Sequence, residues 1–299
     1  MKIGEAERWL QQQLHGAYDV GEINTIAVWV FEKVTGLPRI NWLTKKEEPL
    51  PVDQLHELKS IAQRLQAHEP VQYVLGEAYF HGLKLYVDNN VLIPRSETEE
   101  LVAWIIKDVK AAGKDVFNTN VGEADQTRNM RILDVGTGSG CIALALKNAM
   151  PKAEVWGCDS SDAALNVARR NGALLNIRVD FQQVNILEPA QWNNLPHFDL
   201  IISNPPYITR SEKEEMPSNV VQYEPHLALF VPDENPFIFY EVLARFGKEK
   251  LNKNGVLYVE IHEERGKEVV ELFQTLISSN VELRQDMQGK DRMVKVTLT

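Results

Sequence analysis

From residue 131 onward, short apolar runs alternate with stretches of helical periodicity, and that alternation leaves the chain very few architectures. The runs span 131–135, 154–158, 179–184, 198–203 and 255–261; helical patterns occupy 141–149, 162–175 and 237–251. Strands joined through helices run parallel, with helices covering both faces of the sheet. Two further apolar runs, 281–285 and 293–298, are separated by the turn-rich Gln288-Gly289-Lys290-Asp291. No crossover helix fits between them, so they are expected to pair as an antiparallel hairpin. The predicted fold class is α/β, a Rossmann-like sheet that ends in an antiparallel hairpin.

Upstream the period changes. Ile3, Ala6, Leu10 and Leu14 recur at helical spacing, as do Ile23, Ala27, Val30 and Val34, and then Leu55, Leu58, Ala62 and Leu65. Residues 1–75 therefore read as a small helical bundle, with Trp9, Trp29 and Trp42 assigned to its core. Residues 76–96 read as a β-hairpin linker with its turn near Asp88-Asn89-Asn90, and 97–299 as the α/β domain, opening with a helix over 97–110. The polar, aperiodic stretch 111–130 reads as a mobile loop.

Composition removes several functions. With 32 Lys and Arg against 42 Asp and Glu, the net charge of −10 argues against a surface built to bind phosphates. Residues 1–75 hold 8 basic and 10 acidic residues, so no basic arm is hidden there. No apolar run approaches the ~18 residues of a membrane span. Cys141 and Cys158 lack metal-ligand spacing, the histidines are scattered, and no metal site is expected. The acidic N-terminus, Met-Lys-Ile-Gly-Glu-Ala-Glu-Arg, lacks a signal-peptide core, which makes the cytoplasm the expected compartment.

The segment Ile132-Leu-Asp-Val-Gly136-Thr137-Gly138-Ser139-Gly140 runs from a strand through glycines into a helix. Such glycines let the backbone approach a ligand closely, and the helix start offers N–H groups to it. A dinucleotide fingerprint needs glycine or alanine three positions after the second glycine, and Cys141 stands there. Asp159 lies at the end of the second strand, 23 residues after Gly136, where a carboxylate suits the two hydroxyls of a ribose. A nucleoside without pyrophosphate is indicated, and S-adenosylmethionine fits. Neither a nucleophile elbow nor a phosphate-binding Gly-Lys-Ser/Thr occurs.

At the end of the fourth strand stands Ser203-Asn204-Pro205-Pro206-Tyr207. Two prolines stiffen the backbone and remove two donors. Carbonyl oxygens and the Asn204 side chain remain as acceptors for an NH2 group conjugated to a planar system, and Tyr207 can pack on that plane.

Asn-Pro-Pro-Tyr after such a glycine loop resembles the enzymes that methylate planar amino or amide nitrogens. Flanking segments narrow the likeness: Glu69-Pro-Val-Gln-Tyr-Val-Leu-Gly76, Val91-Leu-Ile-Pro-Arg-Ser-Glu-Thr-Glu99, Tyr223-Glu-Pro225 with Ala228-Leu229, and Asp286-Met-Gln-Gly-Lys-Asp-Arg292. Together they resemble the HemK-type release-factor glutamine methyltransferases, in the family's order, from residue 69 to the C-terminus. The resemblance implies a class I S-adenosylmethionine-dependent methyltransferase sheet behind a helical substrate-recognition domain. It also implies methyl transfer to the glutamine nitrogen of the Gly-Gly-Gln motif of class I peptide-chain release factors. Gly136, Thr137, Gly138, Ser139, Gly140 and Asp159 would bind the cofactor, with Asn185-Ile186 flanking the adenine and Asn204 touching the donor. Asn204, Pro205, Pro206 and Tyr207 would hold the glutamine, with Asn204, Pro205 and Tyr207 catalytic. Three departures from the family pattern are Ser96 in place of a proline, Asn185 in place of an aspartate, and a longer 111–130 loop. The expected molecule is a monomer without direct nucleic-acid or membrane contact. Rival readings are a DNA or RNA adenine amino-methyltransferase, a ribosomal-protein glutamine methyltransferase, and a non-catalytic module that kept the cofactor pocket.

Overall fold

The structure, a computed structural model, describes residues 1–112, 129–277 and 280–298. Its two compact units are Met1–Glu77 with Pro217–Tyr223, and Ala78–Met216 with Glu224–Thr299.

The first unit is helical: α1 (Ile3–Leu14), α2 (Val20–Thr35), α3 (Arg39–Thr44), α4 (Val52–Gln66), α5 (Val71–Leu75) and the short α9 (Ser218–Tyr223). Asp19 opens α2 by accepting the Glu22 N–H at 2.8 Å while Glu22 returns a carboxylate to the Asp19 N–H, a reciprocal cap. Leu10, Leu14, Val30, Phe31, Trp42, Leu58 and Leu65 form its buried core. Trp29, expected in that core, is 42% exposed, because it shares a face of α2 with exposed Thr25 and Lys33; Trp9 is half-buried.

The second unit begins with a hairpin of β1 (Ala78–Phe80) and β2 (Leu83–Leu85). Its turn is His81-Gly82, with φ of 48° and 78°, and not the expected Asp88-Asn89-Asn90. A two-residue hairpin turn of type I′ needs positive φ at both central positions, which those two residues supply. Asp88 instead nucleates a separate loop, accepting the N–H groups of Asn90 and Val91. Then follow α6 (Ser96–Ala112), β3 (Arg131–Val135), α7 (Cys141–Ala149), β4 (Glu154–Asp159), α8 (Asp162–Leu175), β5 (Asp180–Gln183) and β6 (Phe198–Ser203). After β6, β7 (Ile208–Thr209) and β8 (Phe230–Val231) pair side by side. The unit closes with α10 (Ile238–Lys250), β9 (Leu251–Glu260), α11 (Gly266–Ile277), β10 (Asn280–Gln285) and β11 (Asp291–Thr297). Most of the expected 111–130 loop lies outside the described residues.

Among the described residues the main sheet has the order β10-β11-β9-β6-β3-β4-β5. Strands β3 to β6 and β9 are parallel, β11 runs against β9, and β10 against β11. The expected antiparallel tail is therefore present. Alternate residues of each central strand face opposite layers. Ile132, Leu200, Ile202, Val256 and Tyr258 pack with α6 and α7, whereas Leu133, Ile201, Leu257 and Val259 pack with α10 and α11. β6 is buried along its whole length, which is why it reads as a continuous apolar run. Helix α11 (Gly266–Ile277) is not foreshadowed by the helical patterns that mark α7, α8 and α10. Its Val269 and Phe273 are buried four residues apart, as one face of a helix requires. Val135 pairs with Cys158 of β4 and Ser203 of β6 in parallel register, so the loops leaving these strands emerge at one edge.

Candidate active site

That edge holds a cavity of about 230 Å³. Gly136 and Gly138 line it after β3, Asp159 after β4, Asn185 and Ile186 after β5, and Asn204, Pro205 and Pro206 after β6. Flanking segments add to the lining at Val91-Leu92 and at Pro225 with Leu227-Ala228, and Ala164 of α8 and Phe239 of α10 also face it.

The glycine loop is built around a buried acid. Asp134 is fully buried and accepts the Thr137 hydroxyl at 2.6 Å and the Ala143 N–H at 3.2 Å. Burial pushes its carboxyl up to about 7. The loop's own N–H groups turn inward. Those of Gly136 and Thr137 reach the Cys158 carbonyl at 2.8 and 2.9 Å, and that of Gly138 reaches Asp159 at 2.9 Å. Glycine therefore contributes room here more than donors. Gly136 has φ +72°, and a Cβ built on it would meet nothing within 4 Å, so the cavity side of the loop is open. Thr137, Ser139 and Gly140, expected at the cofactor, do not line the cavity. Thr137 and Ser139 are buried, the first against Asp134, and Gly140 packs against Ala168 and Phe181.

Asp159 also accepts the Ser161 N–H at 2.9 Å, and burial raises its carboxyl above the ordinary range against the pull of those backbone donors. It is the one charged side chain in the lining among the described residues; no Lys, Arg or His faces the cavity. A phosphate would find no counter-charge there, whereas ribose hydroxyls would find a carboxylate. Asn185 lines the cavity too, but its amide is committed elsewhere. Its Nδ2 donates to Glu188 at 2.8 Å and its Oδ1 accepts the Leu187 N–H at 3.1 Å.

At the other end, Asn204 Nδ2 donates to Thr98 Oγ1 at 3.0 Å, and the Thr98 hydroxyl donates to Glu260 Oε2 at 2.6 Å. Tyr207 does not line the cavity; its hydroxyl donates to the other Glu260 oxygen at 3.2 Å and its ring meets His262 edge-on. Burial holds the Tyr207 hydroxyl protonated far above its usual range. Glu260 is 1% exposed, and burial pushes its carboxyl up to about 7 despite the Thr98 bond and the Arg292 charge. Arg292 is in turn held by Asp286 at 3.1 Å and Glu263 at 2.8 Å, which gives the Asp286–Arg292 motif a structural task.

Arg95 and Glu224 form a second link that spacing could not reveal. Glu224 is buried, accepts Arg95 Nη2 at 2.6 Å and the Ile93 N–H at 3.2 Å, and so ties the 225–228 wall to the 91–92 wall. Glu97 and Glu99 lie in the first turn of α6, where acids favour the helix dipole. Glu100 differs, since it accepts the N–H of Met287 in the β10–β11 turn. Among the described residues no group of His, Cys, Asp and Glu could hold a metal ion, and no helix is long and apolar enough to cross a membrane.

Comparison with known proteins supplies the chemistry. The methyltransferase small domain family matches residues 113–223, and the PrmC N-terminal domain family matches residues 5–76. A release factor glutamine methyltransferase of Flavobacterium psychrophilum is 40% identical over 285 residues, 95% of either chain. That of Bacteroides thetaiotaomicron is 36% identical over 96% of either chain. The chain belongs to the release factor glutamine methyltransferase family. Its fold is shared more widely: the catalytic domain of hMettl16, solved with a MAT2A 3′UTR hairpin, superposes with a TM-score of 0.52 at 12% identity, covering 83% of this chain and 82% of that one. The protein is thus a class I methyltransferase, and S-adenosylmethionine is its methyl donor. The lining fits that donor. The open glycine face and the carboxylate of Asp159 suit a nucleoside, and the absence of cationic side chains from the described lining suits a sulfonium better than a phosphate.

Proposed function

We propose that this enzyme methylates the side-chain nitrogen of a glutamine, the one in the Gly-Gly-Gln motif of class I peptide-chain release factors, acting as a cytoplasmic monomer. The observation that carries the reading is one cavity lined both by Gly136 and Asp159 and by the Asn204-Pro205-Pro206 corner, in a chain of this family.

In this reading Gly136, Gly138, Asp159, Asn185 and Ile186 hold the donor, Asp159 taking the ribose hydroxyls. Since the Asn185 amide is bonded within its own loop, the adenine is met by the backbone and the apolar face of Ile186. The bound sulfonium supplies an electrophilic methyl group. The chain's task is to aim a poor nucleophile at it, because an amide nitrogen delocalises its lone pair into the carbonyl. Asn204 Oδ1 and the Pro205 carbonyl accept the two amide hydrogens, orient the nitrogen, and stabilise the positive charge that grows on it. Proton loss follows transfer, so no strong base is required at the corner. Tyr207, anchored on Glu260, buttresses the corner from behind in place of the stacking role expected from the sequence.

The test is transfer of labelled methyl from S-adenosylmethionine to a release factor, its Gly-Gly-Gln Gln→Ala variant, a ribosomal protein, and DNA. Label on the release factor, lost in the Gln→Ala variant, is expected; label on DNA alone would overturn the reading. Asn204→Ala should lower kcat roughly 100-fold or more, as losing one preorganised partner of a developing charge does, with donor affinity little changed. A charge of −10 and relatives matched over nearly their whole length both count against the nucleic-acid reading.

A further inference from the structure

We infer that Thr98 and Glu260 are positioning residues that decide which end of the Asn204 amide faces the substrate. The inference rests on the glutamine reading above and extends it to two residues that contact neither substrate nor donor.

An asparagine side chain presents an acceptor at one end and a donor at the other, and the two ends have nearly the same shape. Only the oxygen can receive an N–H from the incoming glutamine; the opposite orientation sets NH2 against NH2. The corner's two prolines stiffen the backbone but leave this side-chain rotation undetermined. The hydrogen-bond chain behind it determines it. An ionised carboxylate can only accept. Above about pH 7, where Glu260 has lost its proton, it therefore compels the Thr98 hydroxyl, 2.6 Å away, to donate to it. Having spent its single hydrogen, Thr98 Oγ1 can only accept from Asn204, 3.0 Å away. That bond takes Nδ2, and Oδ1 is left for the cavity that Asn204 lines. Thr98 and Glu260 are 2% and 1% exposed, so water does not offer either of them an alternative partner. The Tyr207 hydroxyl donates to the second carboxylate oxygen at 3.2 Å, which keeps Glu260 an acceptor on both sides. Polarity thus passes in one direction, from the end of β9 through the first turn of α6 to the corner after β6.

Thr98→Val keeps the shape and deletes the hydroxyl. With Asn204 free to turn, kcat should fall roughly tenfold to a hundredfold, the equivalent of one unsatisfied polar group, while the dissociation constant for S-adenosylmethionine stays within about twofold. Thr98→Ser should recover most of the rate. In an Asn204→Ala background, measured by single-turnover transfer, Thr98→Val should have no further effect, because the group it orients is gone; a packing defect would persist there. Glu260→Gln provides the same test if Thr98→Val does not fold. It removes the obligatory acceptor at equal volume and should cut kcat about tenfold with no loss of melting temperature. A wild-type enzyme that methylates the release factor alongside a full-rate Thr98→Val or Glu260→Gln overturns the inference and leaves the glutamine reading intact. A persistent Thr98→Val effect in the Asn204→Ala background also overturns it. A wild-type enzyme that labels no release factor removes the reading itself.

Discussion

Arg95→Met should destabilise the protein far more than Glu224→Gln, although each deletes the same ion pair. The reason is unequal burial: the Glu224 side chain is 1% exposed and that of Arg95 is 35% exposed. Removing the arginine strands a carboxylate inside the protein, and breaking a buried pair from one side costs about 3–5 kcal/mol. The lower end, about 3 kcal/mol, applies because the Ile93 N–H still donates to Glu224 at 3.2 Å. Glu224→Gln instead keeps an acceptor for Ile93 and releases Arg95 toward water, at a cost of about 1 kcal/mol. Urea denaturation should separate the two variants by about 2 kcal/mol. Since the pair joins two walls of the cavity, calorimetric titration should find S-adenosylmethionine bound several-fold more weakly by both. Equal stability losses would refute the burial argument, and unchanged donor affinity would refute the link between the walls.

Two further outcomes follow from packing and titration. At Gly157, in β4, a Cβ would stand 2.8 Å from the Phe181 ring and 2.9 Å from Thr137 Oγ1. Gly157→Ala should therefore cost about 1–3 kcal/mol in urea denaturation; because Thr137 braces Asp134, it should weaken donor binding as well, and a neutral result would mean the loop yields freely. Asp134 and Glu260, both raised by burial to about 7, hold protons below that pH which the unfolded chain has already released. Their contribution is complete below the ordinary carboxyl range and is lost as pH rises through about 7, whereas His262, lowered by burial, pulls in the opposite sense nearby. Comparing melting temperatures of Asp134→Asn and wild type between about pH 5 and 8 isolates the acid: the variant's curve should decline less, and parallel curves would refute the assignment.

The alternation of periods made the sheet legible because β6 and its neighbours are buried on both faces and α7, α8 and α10 on one. It failed where the signal was short or non-local. The hairpin turn at His81-Gly82 lacks the Asn-Gly signature, while Asp88-Asn89-Asn90 has the composition of a turn and forms one elsewhere. Helix α11 opens at Gly266 after Arg265, not after a Ser, Thr, Asp or Asn that would mark its start, and this hid a well-formed apolar face. In the site, Gly136, Asp159 and Asn204, singled out by spacing at strand ends, and Asn185, implied by the family likeness, all line one cavity. Thr137 and Ser139 are buried and do not line the cavity, since a glycine-rich loop gives no sign of which side chains turn inward, as Thr137 does to Asp134. The partners behind the corner were out of reach. Thr98 lies 106 positions before Asn204, and Glu260 lies 53 after Tyr207.

The reversal of the last strand has a cost and a use. Met293 of β11 stands opposite Glu260 of β9 in antiparallel register, so β11 begins where β9 ends. Arg292, held by Asp286 and Glu263, thereby brings a positive charge that favours the Glu260 carboxylate; had β11 run the other way, its first residues would start about 20 Å off, at the far rim. The terminal ribbon is in this sense a delivery arm for positive charge. Clipping the chain ahead of it would remove, together with the buried Met293, Val294 and Val296, the cation that favours the carboxylate behind the methylating corner.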